Sequence, residues 1–220
     1  TKPISVQNNL DRHEGYMDII RKHGYESTEI VIDEWGISTQ GFANRLACPE
    51  LMVRETEVFS AYYAKLIRGF LDTGYDISRL VICLSGQHEM TEDFTGFRNF
   101  FTLNFIPKPI YNAHILSSRM GTDLVDTEGE NKNVAVIATK TEKGYAVLMA
   151  YADEHFTQDI PNCEKTLDFE ENIAGKTVTL WCIDKEHTNP YRLFEKMGSP
   201  EAPTCEQLAV LREEGRLKPL

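Results

Sequence analysis

Apolar residues follow two rhythms along this chain. Between Asp11 and His23, Tyr16, Ile19, Ile20 and His23 recur every three or four positions, and Gly24 follows, which predicts a helix with a C-terminal stop. Phe59, Tyr62, Tyr63, Leu66, Ile67 and Phe70 repeat that spacing as one continuous stripe, closed by Thr73-Gly74. That stripe predicts a long helix facing a core. Between the two helices the texture changes. Thr28-Glu29-Ile30-Val31-Ile32-Asp33-Glu34-Trp35-Gly36 is a β-branched apolar run that ends in two carboxylates, an indole and a glycine. So short a run suits a strand buried on both faces, as in a parallel sheet. Arg79-Leu80-Val81-Ile82-Cys83-Leu84 is a second such run and leads into Ser85-Gly86-Gln87-His88-Glu89.

Strand, long helix, strand is a βαβ unit, so the two strands are expected to lie parallel, with their C-terminal ends at one sheet edge. Glu34, Trp35, Gln87, His88 and Glu89 can then converge there. The segment Ile37 to Pro49 lacks periodicity and is rich in Ser, Thr, Gly, Asn and Gln, a loop long enough to shape that edge. An aromatic stretch from Phe94 to Phe105 and the punctuation Ile106-Pro107-Lys108-Pro109 precede a further helix, with Tyr111, His114 and Ile115 on one side and a stop near Met120-Gly121.

Beyond Gly121 the period becomes that of strands. A polar stretch runs from Thr122 to Asn133. Val134 to Thr139 and Tyr145 to Tyr151 then flank Glu142-Lys143-Gly144 as a β-hairpin. Thr166 to Phe169 and Thr177 to Ile183 read as two more strands turning at Gly175, with Trp181 in their core. Thr204 to Glu214 reads as a closing helix, with Thr204 as N-cap and Gly215 as stop. The division this suggests is an α/β part over residues 1–121 and a mostly β part over 122–220.

Composition narrows the function classes. The 220 residues are 41% hydrophobic and carry a net charge of −11, which disfavours a partner gripped through its phosphates, so no nucleic acid is expected. No apolar run approaches the roughly 20 residues of a membrane span, and no charged-then-apolar leader opens the sequence. Five cysteines form no CxxC pair, and Cys83 and Cys182 sit inside apolar runs where a thiol acts as a small hydrophobe. A reduced, cytoplasmic protein is the simpler expectation. With no HxxxH, HExxH, GxGxxG or Walker-type pattern, neither a metal nor a cofactor is expected.

The residues left to carry chemistry are few. Asp33 and Glu34 alternate across their strand, and parity gives Glu34 the face of Ile30 and Ile32. A carboxylate at the mouth of a sheet can serve as nucleophile, base or charge stabiliser, and Trp35 beside it suits the apolar face of a sugar ring. A strand that simply ends in solvated acids accounts for the same residues. His88 and Glu89 form either an acid/base couple facing Glu34 or an exposed loop.

Three stretches together resemble glycoside hydrolase family 39, the β-xylosidase and α-L-iduronidase family of retaining glycosidases. Ile30 to Gly36 is similar to the strand bearing the family's nucleophile. Ile106-Pro107-Lys108-Pro109-Ile110-Tyr111-Asn112-Ala113 is similar to the opening of its last barrel helix. His187-Thr188-Asn189-Pro190-Tyr191, with Met197-Gly198-Ser199-Pro200 and Pro203-Thr204, is similar to its tail. The resemblance implies the C-terminal part of a (β/α)8 barrel, with the helix at Asp11 as the sixth, followed by a β-sandwich domain from Thr122 onward. It makes Glu34 the nucleophile and a carbohydrate the substrate. The family's acid/base lies in an Asn-Glu dipeptide on an earlier strand, and this chain contains no Asn-Glu. Where xylosidase-like members carry a tryptophan after the eighth strand, this chain has Leu84-Ser85-Gly86-Gln87-His88.

Two functions follow from these readings. One is the C-terminal portion of a retaining glycosidase, holding the nucleophile without the acid/base. The alternative is a non-catalytic carbohydrate-binding or interaction module derived from such a barrel. In either case a half-barrel leaves sheet edges and apolar faces uncovered, which predicts self-association or pairing with the missing half.

Overall fold

The structure is a computed structural model that describes residues 4–37, 46, 48–74, 77–80, 90–153, 155–156 and 160–220. In chain order, α1 (Val6–Lys22) leads to β1 (Ile30–Ile32), a 3-10 helix (Pro49–Glu55), α2 (Glu57–Thr73) and β2 (Ile77–Leu80). Next come α3 (Pro109–Ser118), β3 (Asp123–Val125), β4 (Val134–Thr141), β5 (Gly144–Tyr151), α4 (Pro190–Lys196) and α5 (Cys205–Glu214).

Helix α2 is the spine, and the expected stripe is what it buries. Phe59, Tyr62, Tyr63, Leu66 and Phe70 all fall in the main core, joined by Trp35, Val53, Val58, Ile110, Ala113, Ala152 and Phe156. Its ends follow local rules. Thr56 accepts the Val58 amide at the N-cap, and Gly74 closes the C-terminus in the left-handed region at φ 66°. Both sides of the Gly121 division contribute to this core, because Ala152 and Phe156 lie beyond it.

Strands β1 and β2 pair in parallel, Val31 opposite Arg79 and Ile32 opposite Leu80, around the α2 crossover. The expected β1 burial on both faces is not realised. Ile30 and Ile32 are half-buried, while Val31 is 48% exposed, because the sheet has only these two strands among the described residues. The expected second strand, Arg79 to Leu84, begins earlier, at Ile77, and residues 81–89 lie outside the described residues.

The hairpin forms in full register, from Val134 opposite Tyr151 to Thr141 opposite Gly144. Strand β3, inside the mostly polar stretch for which no strand was expected, adds an antiparallel edge to β4. Gly121 lets the chain into that edge: a Cβ there would lie 1.8 Å from the Lys140 carbonyl oxygen. Thr166 to Phe169 and Thr177 to Ile183, expected as strands, form no ladder among the described residues. The sole pairing there is an isolated bridge from Trp181 to Pro219. Alternating sequence cannot make a strand without a neighbour to bond. Trp181, expected in a core, is half-buried beneath the Arg119 guanidinium, 4.7 Å from the ring centre.

Helix α5 carries the expected Thr204 cap as a full capping box with Gln207 and packs with α4 over Phe94, Ile106, Phe194 and Leu211. No helix among the described residues is long and apolar enough to cross a membrane.

Candidate active site

Strand β1 ends at Ile32, before both acids, so strand parity does not separate them: Asp33 and Glu34 are both exposed. A cation does. Arg98 Nη2 lies 2.6 Å from Glu34 Oε2, with 10% of the arginine side chain and 53% of the glutamate side chain exposed. Glu34 is thus oriented by a buried donor while keeping an open approach.

Arg98 is where it is because the loop carrying it is pinned from below. The 3-10 helix delivers Arg54 and Glu55 into the interior, where they are 0% and 1% exposed. Glu55 Oε1 accepts the Gly96 amide at 2.7 Å, Arg54 Nη1 donates to the Gly96 carbonyl at 3.1 Å, and Glu55 Oε2 pairs with Lys108 Nζ at 2.9 Å. Lys108 Nζ also donates to the Phe97 carbonyl at 2.6 Å and to Asn99 Oδ1 at 3.2 Å. Gly96 itself takes φ +82°, and a Cβ there would press on the Leu51 backbone at 3.3 Å. These bonds hold the chain on both sides of Arg98, at Gly96, Phe97 and Asn99.

The buried charges feel their surroundings. Burial first, and then the nearby Arg98 charge, push Arg54 down to about 10. Burial also lowers Lys108 below the ordinary lysine range, opposed by the Glu55 charge.

Trp35 turns inward from the residue after Glu34. It is 5% exposed and stacks on Tyr63 at 5.4 Å between ring centres, with Phe59 tilted against it at 5.4 Å. Tyr63 in turn stacks on His114 at 3.9 Å. Trp35 Nε1 and His114 Nε2 are both buried without a hydrogen-bond partner among the described residues. His114 Nδ1 donates to the Ile110 carbonyl at 2.9 Å, and burial lowers its pKa. This aromatic stack starts from the residue that follows Glu34 in the chain.

Of the residues singled out in the sequence, Glu34 and Trp35 are thus placed, one open and one buried. Gln87, His88 and Glu89 lie outside the described residues. Arg98, Arg54, Glu55 and Lys108 were not anticipated. The nearest signal was Lys108 itself, a lysine fixed between two prolines.

Among the described residues, a single group of metal-ligand type occurs elsewhere: Cys182, Asp184 and His187. Cys182, expected to act as a hydrophobe, is half-buried and its thiol donates to Asp184 Oδ2 at 3.0 Å.

Residues 8–218 match the sequence model of the family described as Glycosyl hydrolases family 39. A β-xylosidase of Caldicellulosiruptor saccharolyticus is 27% identical over 128 residues, which cover 57% of this chain and 26% of that protein. Among solved structures, a monomeric β-xylosidase from Caulobacter crescentus CB15 superposes on 98% of this chain with a TM-score of 0.67 at 14% identity, using 44% of its own length. The GH39 enzyme from Xanthomonas axonopodis pv. citri covers 87% of the chain and 38% of its own, with a TM-score of 0.57 at 12% identity. At these identities the structural likeness is one of fold. The chain spans about a quarter of that curated relative and less than half of those solved structures.

Proposed function

The chain belongs to glycosyl hydrolase family 39, a family of glycosidases, and from that membership we propose that it is the C-terminal portion of a retaining, β-xylosidase-like enzyme with Glu34 as nucleophile. In this reading β1 and β2 are the seventh and eighth strands of a (β/α)8 barrel, α1 is the sixth helix, and the chain from Thr122 belongs to a β-sandwich. The observation that carries it is Glu34, exposed at the C-terminal end of a parallel strand and oriented by a buried arginine.

The chemistry divides between two carboxyl groups. Glu34 Oε attacks the anomeric carbon while a second carboxyl group, about 5–5.5 Å away, protonates the leaving oxygen. That group then activates the water that releases the sugar. Arg98 pairs with Glu34 Oε2 and orients the carboxylate for attack. Gln87, His88 and Glu89, following β2, contact the sugar; Trp35, being buried, packs in the core from the residue after Glu34. The second carboxyl group comes from outside these residues, since the chain has no Asn-Glu.

Exposed apolar side chains support a missing neighbour. Tyr16 and Ile19 of α1, Tyr25 and Val31 are 60%, 58%, 64% and 48% exposed, apolar surface of the kind that further barrel elements would cover. The alternative of a carbohydrate-binding module draws no support from Trp35, whose ring is buried.

The test compares hydrolysis of an aryl β-xyloside by this chain alone and by the chain extended upstream in its own coding sequence. Turnover confined to the extended form and abolished by Glu34→Gln fits the proposal. Turnover that survives Glu34→Gln overturns it.

A further inference from the structure

Away from Glu34, the turn that leads from Trp181 into α4 draws together three side chains of three different ligand types. Cys182 Sγ, an Asp184 carboxylate oxygen and a His187 ring nitrogen all lie within 4.8 Å of one another. The thiol donates to Asp184 Oδ2 at 3.0 Å, and His187 Nδ1 lies 2.9 Å from Oδ1 and 3.1 Å from Oδ2. We propose that this turn is a binding site for one Zn2+ ion, held by Cys182 Sγ, Asp184 Oδ2 and His187 Nδ1 with solvent in the fourth position.

The donor set selects the metal. One sulfur, one imidazole nitrogen and one carboxylate oxygen suit a borderline-soft tetrahedral ion, and they do not suit Mg2+ or Ca2+, which want six or more oxygens. Zn–ligand bonds of about 2.0–2.3 Å set tetrahedral edges of roughly 3.3–3.6 Å. The separations of Asp184 Oδ2 from Cys182 Sγ, 3.0 Å, and from His187 Nδ1, 3.1 Å, need to open by up to about half an ångström, and Sγ and Nδ1 already lie within 4.8 Å of each other. Binding exchanges protons for the ion: the Cys182 thiol loses its proton to solvent and becomes the thiolate ligand, and His187 binds as the neutral imidazole.

The frame of the turn does not depend on the ligand atoms. The Asp184 amide donates to the His187 carbonyl at 3.1 Å, Thr188 Oγ1 to the Cys182 carbonyl at 2.8 Å, and Asn189 Nδ2 to the Asp184 carbonyl at 2.7 Å. Thr188 and Asn189 are buried. Asp184 Oδ1 is held by the amides of Glu186 and His187 at 2.7 and 2.8 Å, which aims Oδ2 at the thiol. Such outer bonds orient the ligands of metal sites. His187, with 45% of its side chain exposed, gives the ion a way in. The turn also carries Asn189, which caps α4 and donates to Glu57 at the start of α2. An ion there ties the tail to the spine of the fold.

Cobalt(II) and zinc(II) titrations of this chain test the proposal, in a C163S/C205S background that removes the exposed thiols. One equivalent of Co2+ is expected to bind with a thiolate-to-metal charge-transfer band. Zn2+ affinity, measured against a chromophoric chelator, is expected to fall about a hundredfold or more in Cys182→Ser, since losing outer partners alone costs about 10- to 100-fold. Serine keeps the hydrogen bond to Asp184, so this variant folds, and far-UV circular dichroism checks that it has. His187→Gln is the second variant and is expected to lose affinity in the same way. A cobalt complex without the charge-transfer band, or zinc affinity unchanged in Cys182→Ser, overturns the site.

Discussion

Two glutamates in this protein each pair with a cation, and they do opposite work. Glu55 and Lys108 are both 1% exposed, 2.9 Å apart, and their remaining polar atoms are spent on the chain from Gly96 to Asn99. Glu34 and Arg98 are 2.6 Å apart, but half of the Glu34 side chain faces outward. The sealed pair builds; the open pair can react. A buried ion pair contributes little net stability, because desolvation offsets its attraction, yet it fixes geometry when each partner is fully bonded. Here the fixed geometry is the loop that carries Arg98, so the sealed pair sets the position of the open one.

The largest effect is expected at the open glutamate. In the upstream-extended form, Glu34→Gln is expected to reduce kcat on an aryl β-xyloside by about 10⁴-fold or more, as loss of a covalent nucleophile does elsewhere, with unfolding by urea little changed. The sealed pair should show the reverse balance. Lys108→Met leaves Glu55 charged and unpaired in the interior, and a cost of about 3–5 kcal/mol is expected in urea unfolding. The double change Glu55→Gln with Lys108→Met keeps an acceptor for the Gly96 amide and should restore most of that loss. If the double variant is as unstable as the single one, the pair is not the clamp described.

Arg98→Lys probes the link between the pairs. A single ammonium cannot reproduce the guanidinium's placement, and kcat is expected to fall by up to about 10²-fold, as for a reacting group displaced by an ångström. The thermal transition should hardly move, because a pair this exposed on one side contributes about 0–1 kcal/mol. The smallest effect belongs to Gly96→Ala. A side chain in the left-handed region costs about 1–2 kcal/mol, read as a lowered urea midpoint, and its pressure on Leu51 should shift Arg98 and lower activity in parallel.

The two regions also differed in how far they could be read from sequence. Glu34 was visible, because an acid that ends an apolar β-branched run is a local pattern. Helix α2, the β4–β5 hairpin and the Thr204 cap were visible for the same reason, since period and capping chemistry are local. The machinery beneath Glu34 was not. Arg54, Glu55 and Lys108 belong to residue types that normally sit in water, and only tertiary contacts among the 3-10 helix, the Gly96 loop and the start of α3 bury them. Trp35 was misleading because its neighbour is exposed while its own ring fills a core that α2 and His114 supply. Helix α4, capped by Asn189 with Pro190 in its first turn, was not anticipated, because its seven residues are too few to show a period. The Cys182, Asp184 and His187 cluster matches no common ligand spacing, and its convergence is a product of the turn.

The most direct test of Glu34's role is covalent trapping. The upstream-extended form, treated with a 2-fluoro aryl β-xyloside, should stall as a glycosyl-enzyme, and peptide mass mapping should find the sugar ester on Glu34 and on no other carboxylate. A label carried by a different residue, or the same label in Glu34→Gln, would contradict the account.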